Sequence, residues 1–192
     1  MIAAILNKLA ALFGQQRPST PVNSEPTKTA SYRVHIPRSL MYELRDVTRP
    51  RAGRPEPLAF LRVRFASEAS RNVLVALSAL QFPGAAYVAG PAGANFSTEW
   101  AVDTANSEIR DNIGLLLVHS HGGDGFPGFS SIDRRTNRSV MGALGIGINT
   151  VPYGAIVLSD TNSCCVVAVG GAMIAAKVVV VPDRFCDVRI SS

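Results

Sequence analysis

The chain contains little histidine, cysteine or lysine and has no long apolar run. Only 3 of its 192 residues are His and 3 are Cys; the cysteines, Cys164, Cys165 and Cys186, lack CxxC spacing. Their odd number and spacing argue against a disulfide framework and against a cysteine-ligated zinc knuckle, and favour a reducing, cytoplasmic location. No apolar stretch reaches the roughly 18 residues of a membrane-spanning helix, so we expect no transmembrane segment.

The positive charge is carried by arginine and is uneven along the chain. Of the 19 Lys and Arg residues 16 are Arg, and the formal net charge is +5. Residues 1–71 hold 12 of these cations against 5 acids, whereas residues 72–192 hold 7 against 9. The cations are scattered, without a block of like charges or interleaved aromatic residues. This pattern disfavours nucleic-acid binding and favours surface ion pairs or an acidic protein partner.

Length and composition predict one folded domain behind an N-terminal extension. With 47% hydrophobic residues the chain is too apolar to be disordered. Apolar residues at helical spacing predict an amphipathic helix over residues 1–13. Residues 14–30 are rich in Pro, Ser, Thr and Gln and are typical of a flexible linker. The folded domain is therefore expected over residues 31–192.

Strand and helix signals alternate within this domain. A helix is expected over 38–48 and another over 130–146, with a glycine-rich loop over 122–129 between strand and helix. Strands are expected over residues 32–36, 58–65, 73–80, 96–102, 113–119, 153–158, 164–169 and 176–181. This order predicts an α/β sandwich with mixed or antiparallel strand pairing.

The residues best suited to chemistry lie around the most apolar strand. His119 and His121 stand two apart at its end, so both imidazoles face one side. Asp133 is expected in the first turn of the next helix, one turn after Ser130. A single strand histidine is usually a packed core residue, but two at this spacing followed by a carboxylate favour metal ligation. Two nitrogens, one oxygen and an open fourth position are typical of catalytic zinc.

The order HxH, loop and S-x-x-D resembles the signature of the JAMM (MPN+ or JAB) metalloprotease family. The resemblance covers about residues 31–181. Eight residues, 122–129, separate His121 from Ser130, which is one more than the family pattern has, and Gly122 replaces a common proline. The resemblance implies an MPN/JAB-type, cytidine-deaminase-like α/β fold in which helices sandwich a mixed β-sheet.

The resemblance also implies the role of each residue in the motif. His119, His121 and Asp133 would hold Zn²⁺, and Ser130 would donate a hydrogen bond to the oxyanion. Ser131 is the weaker candidate for that role and is interpreted as a helix cap.

The family also requires an upstream glutamate as general base, placed where a loop enters a strand. Glu56 in RPEPLAFLRV fits this position best. Glu43 falls within a predicted helix, Glu68 follows a strand rather than opening it, and Glu99 lies in an apparent insertion. The choice of Glu56 depends on the resemblance, because any single glutamate is usually a solvated surface charge.

The implied function is that of a zinc-dependent isopeptidase or peptidase. It would cleave after the C-terminal tail of a ubiquitin-like protein, in deconjugation or precursor processing. Bacterial relatives accompany ubiquitin-like conjugation systems, including antiphage defence operons, so enzymes of such a system are expected partners. Two alternatives remain open: a catalytically silent scaffold that binds protein partners, and a zinc hydrolase with a different substrate.

Overall fold

The computed structural model describes residues 32–51, 56–67, 72–90, 93–110, 113–143, 151–169 and 172–185. The predicted N-terminal helix (1–13) and linker (14–30) lie outside these residues. The described helices are α1 (Arg38–Val47), α2 (Thr98–Arg110) and α3 (Ser131–Ala143). The strands are β1 (Tyr32–Pro37), β2 (Ala59–Phe65), β3 (Val73–Gln81), β4 (Tyr87–Gly90), β5 (Gly93–Phe96), β6 (Gly114–Ser120), β7 (Tyr153–Leu158), β8 (Ser163–Val169) and β9 (Ala172–Val181).

Seven strands form a closed barrel in the order β1-β3-β2-β6-β7-β8-β9. The barrel closes because β1 pairs in parallel with both β3 and β9, so that neither end strand keeps a free edge. The β1–β9 register runs from Tyr32 opposite Ala176 to Pro37 opposite Val181. Strands β4 and β5 form a separate two-stranded sheet.

The closed barrel corrects the expected fold class. The resemblance implied an MPN/JAB-type mixed sheet sandwiched by helices, and that expectation is wrong. An open sheet buries both faces under helices, whereas a barrel buries its inner face against itself and needs few helices. Only three α-helices occur in the described ranges, and strands predominate.

Successive side chains of the barrel strands point alternately into two hydrophobic cores, one inside the barrel and one outside it. Inward residues of six strands, such as Val118 and Ile156, pack with Leu44 and its neighbours on α1 inside the barrel. Outward residues of β2, β6 and β7, such as Leu117, pack under α2 and α3. All seven residues of β6 are buried, which explains the apolar run over residues 115–118.

One expected strand is instead a helix. Residues 96–102 were predicted to be extended, but β5 ends at Phe96 and α2 begins at Thr98. Ser97 precedes α2, and its Oγ accepts a hydrogen bond from the Trp100 backbone N–H at 3.2 Å, as an N-cap does. Ala101 and Ala105, one turn apart, then pack into the outer core.

The unit β6–α3–β7 positions the predicted site. Strands β6 and β7 are parallel neighbours, with Leu115 opposite Tyr153 and Ser120 opposite Leu158, so α3 is the crossover between them. The N-terminus of α3 therefore returns to the carboxyl end of β6. Crevices at this end of parallel strands are common ligand sites.

Candidate metal centre

The two motif histidines lie where β6 ends. Along this strand Val118 faces the barrel interior and Leu117 faces α3. By the same alternation His119 and His121 share the outer face, beside α3. The side chain of His119 is almost fully buried, whereas that of His121 keeps 34% of its surface exposed. This asymmetry leaves the group of donor atoms open to solvent on the His121 side.

The helix that follows brings a carboxylate to the histidines through a reciprocal cap. The Ser130 backbone N–H donates to Asp133 Oδ2 at 2.7 Å, and the Asp133 N–H donates to Ser130 Oγ at 3.1 Å. This is a capping box, in which residues three apart each satisfy a free amide of the helix end. Ser130, rather than Ser131, is therefore the N-cap of α3.

His119, His121 and Asp133 form a group that could hold a metal ion. The two Nε2 atoms are 3.2 Å apart, His119 Nε2 lies 3.2 Å from Asp133 Oδ1, and His121 Nε2 lies 3.6 Å from Asp133 Oδ2. Tetrahedral zinc with bonds near 2.0–2.1 Å separates its ligands by about 3.3–3.4 Å. The three side chains are therefore close enough to contact one cation, with the two imidazoles nearest to different oxygens of Asp133.

The electrostatics of Asp133 suit a ligand. Burial raises the pKa of this carboxyl, but hydrogen bonding and electrostatic attraction to His119, together with the hydrogen bonds with Ser130, lower it by more. The net effect holds the pKa of Asp133 well below its usual value. The side chain is therefore an anion at neutral pH, which is the form that binds a cation.

The strand register brings Glu56 to the same place. Strand β2 is antiparallel to β6, with Ala59 opposite Val118. Continuing this register by three residues sets Glu56 level with His121, and the alternation puts both on the outer face. Glu56 is exposed and lines a cleft of about 320 Å³ together with His119 and Asp133.

Of the other glutamates considered from the sequence, the two that the structure describes do not line this cleft. Glu43 is exposed on α1, and Glu99 is exposed in the first turn of α2. Glu68 lies outside the described residues. Of the described candidates, only Glu56 lines the cleft with His119 and Asp133.

The glycine-rich loop between His121 and Ser130 is tied to the β7–β8 turn. The Asp160 N–H donates to Gly123 O at 2.8 Å, and Thr161 Oγ1 donates to Asp124 O at 3.1 Å. Gly122 and Gly123 have φ values of +67° and +72°. Proline holds φ near −65°, so the family's proline could not adopt the conformation found at Gly122.

We expect Gly122→Ala to destabilise the protein by about 1–2 kcal/mol, because an L-residue is strained in the left-handed region. A Cβ there would meet only Pro50 Cγ at 3.7 Å, so backbone strain is the whole cost. Urea unfolding measures the difference. The matched control is Gly125→Ala, where no atom lies within 4 Å of the new Cβ and φ is not positive. Equal effects of the two substitutions would contradict the argument.

Two further residues at the site carry no signal in the sequence. The Tyr87 hydroxyl accepts a hydrogen bond from Leu58 N at 2.7 Å, and Leu58 O accepts one from Phe82 N at 3.0 Å. Both backbone groups of Leu58 are thus held, two residues after Glu56. Asn137, one turn after Asp133, is only 4% exposed and also lines the cleft. An asparagine in a polar helix gives no sign of burial before the fold is known.

The described cysteines are poorly suited to nucleophilic chemistry. Cys165 is buried and Cys164 is half-buried on β8. Burial raises the pKa of both thiols, and Arg134 only partly opposes this effect at Cys164. A reactive cysteine needs a lowered pKa, so neither thiol resembles an activated nucleophile.

Comparison with known proteins adds little. No family model matches the chain, and no curated protein matches it. A similar solved structure is the solution structure of protein DSY2949 from Desulfitobacterium hafniense, with 15% sequence identity over 78% of this chain and 93% of that one and a TM-score of 0.46. A likeness this weak carries no argument about function. In the described residues, no helix is long and apolar enough to cross a membrane.

Proposed function

We propose that the protein is a zinc-dependent peptidase or isopeptidase. The observation that carries the proposal is the convergence of His119, His121 and Asp133 on one point, with Glu56 in the cleft that His119 and Asp133 line. The donor set of two imidazoles and one carboxylate is that of catalytic zinc with an open position. Support comes from the ligands and their order, which resemble the JAMM motif, and not from the fold.

Each residue of the cleft has a distinct task in this proposal. Zinc held by His119, His121 and Asp133 would lower the pKa of a bound water towards about 7. Glu56 accepts the proton of the attacking water and returns it to the leaving amine. The Ser130 hydroxyl, which lies beside the Asp133 carboxylate, would donate a hydrogen bond to the oxyanion of the carbonyl under attack.

The proposed substrate is the extended C-terminal tail of a ubiquitin-like protein, with the amine of an extension or a conjugate as leaving group. Tails of this kind bind through main-chain hydrogen bonds. The cleft beside Glu56 is open and bordered by the exposed Ile132, so an extended chain can enter it. A role in a bacterial conjugation system, such as an antiphage operon, is part of the same proposal.

Cleavage assays with purified protein test the substrate class. We expect metal analysis to give one zinc per chain, and we expect the protein to process ubiquitin-like proteins extended or conjugated at their C-termini. Removing zinc with a chelator should abolish cleavage, and adding zinc back should restore it. Cleavage that survives complete zinc removal would contradict the proposal. If zinc is bound but only unrelated peptides are hydrolysed, the protein is still a zinc hydrolase, and the proposed ubiquitin-like substrate is wrong.

A further inference from the structure

A second cleft, of about 490 Å³, lies along the opposite flank of α3 from the Glu56 cleft. We call it the arginine cleft, because Arg134 and Arg138 border it and neither residue lines the Glu56 cleft. Apolar side chains, among them Phe129, Met141 and Met173, form the rest of its wall. Asn137 lines both clefts.

The positive charges of Arg134 and Arg138 lie in an electrostatically unfavourable arrangement. They stand four apart on one face of α3, where like charges repel. In the described part of the chain, neither Arg134 nor Arg138 has an acidic partner within ion-pair distance. An anion bound from outside would relieve this repulsion.

Asn137, which lines both clefts, carries a buried hydrogen-bond acceptor without a partner in the ranges that the structure describes. It is 4% exposed, and its Oδ1 has no hydrogen-bond partner among the described residues. A buried acceptor without a donor is destabilising, and such groups in native proteins call for an explanation. If the Asn137 side chain turned towards the arginine cleft, a ligand N–H would supply the missing donor.

We propose that the arginine cleft binds an acidic peptide segment of a protein partner. Side-chain carboxylates of the segment pair with Arg134 and Arg138, and an apolar side chain packs against Phe129, Met141 and Met173. The Asn137 side chain turns towards the segment, and a main-chain N–H of the segment donates to its Oδ1. One short peptide offers all three kinds of group that the cleft lacks. The proposal stands apart from the catalytic one, since it concerns binding and does not require cleavage.

Fluorescence anisotropy with labelled eight-residue peptides tests this inference on the full chain. One peptide alternates Asp and Glu with Leu, and its match has Asn and Gln in place of the acids. We expect the acidic peptide to bind at least about tenfold more tightly than its match, with an affinity that falls as salt rises. Equal affinity for the two peptides would overturn the proposal.

Substitutions locate the binding. The double variant Arg134→Gln, Arg138→Gln should weaken binding of the acidic peptide about tenfold. The matched control is Arg33→Gln, Lys177→Gln, which removes two exposed charges that face each other across β1 and β9. An equal loss of peptide affinity in both double variants would show that net charge alone causes the effect, and it would overturn the proposal. A single-stranded oligonucleotide that binds as tightly as the peptide would also overturn it.

A third variant separates binding from folding. Asn137→Leu removes the unsatisfied amide, so we expect an unchanged or raised thermal midpoint together with weaker peptide binding. A fall in the thermal midpoint would show that the amide has a structural partner, which would contradict its role here. Unchanged peptide affinity in a folded Asn137→Leu variant would contradict it as well.

Discussion

Glu56→Gln should lower kcat for tail cleavage about 10³-fold, since general acid–base catalysis by one group contributes roughly 10²–10⁴-fold. Glutamine keeps the shape of glutamate but cannot accept the proton of water. Glu56 is exposed beside the histidines and is not one of the three ligating residues, so the zinc content and the thermal midpoint should stay unchanged. Steady-state kinetics and metal analysis on the same preparation measure both quantities.

The other exposed glutamates provide matched controls. Glu43→Gln on α1 and Glu99→Gln on α2 remove the same charge from sites outside the cleft. We expect both variants to keep full activity. Full activity of Glu56→Gln would contradict the assignment of Glu56 as the general base. A loss of activity in Glu99→Gln alone would indicate that Glu99 is the base instead.

The parts of the site that were foreseen from the sequence are those set by local periodicity. Alternation along β6 places His119 and His121 on one face, and one helical turn links Ser130 to Asp133. Glu56 is different, because it reaches the histidines only through the β2–β6 register. Pairing register is a property of two distant segments, so the resemblance, and not the spacing, pointed to Glu56.

Barrel closure was not foreseen for the same physical reason. Tyr32 and Ala176 meet across β1 and β9, although most of the chain separates them. Nothing in either strand specifies a parallel partner so far away, and a run of strands and helices fits an open sheet equally well. Residues 96–102 are expected from the sequence to form a strand, whereas Ser97, which caps α2, is the more informative signal.

Zinc should raise the thermal midpoint of the wild-type protein substantially. A ligand at about 1,000 times its dissociation constant stabilises the folded state by about 4 kcal/mol. For a chain of this size, each kcal/mol raises the midpoint by about 2–4 °C, so we expect a rise of roughly 8–16 °C. The rise depends on the preformed group of donors, because zinc then binds the folded chain in preference to the unfolded one.

His121→Ala should abolish most of that rise, because it leaves two of the three ligands. The variant suits the test because 34% of the His121 side chain is exposed, so its loss disturbs packing less than loss of the buried His119 would. His35→Ala is the matched control: His35 lies on β1, outside the group of donors, and its loss should leave the zinc effect intact. Scanning calorimetry with and without zinc gives each difference. An equal zinc-induced rise in wild type and His121→Ala would place the metal elsewhere on the chain.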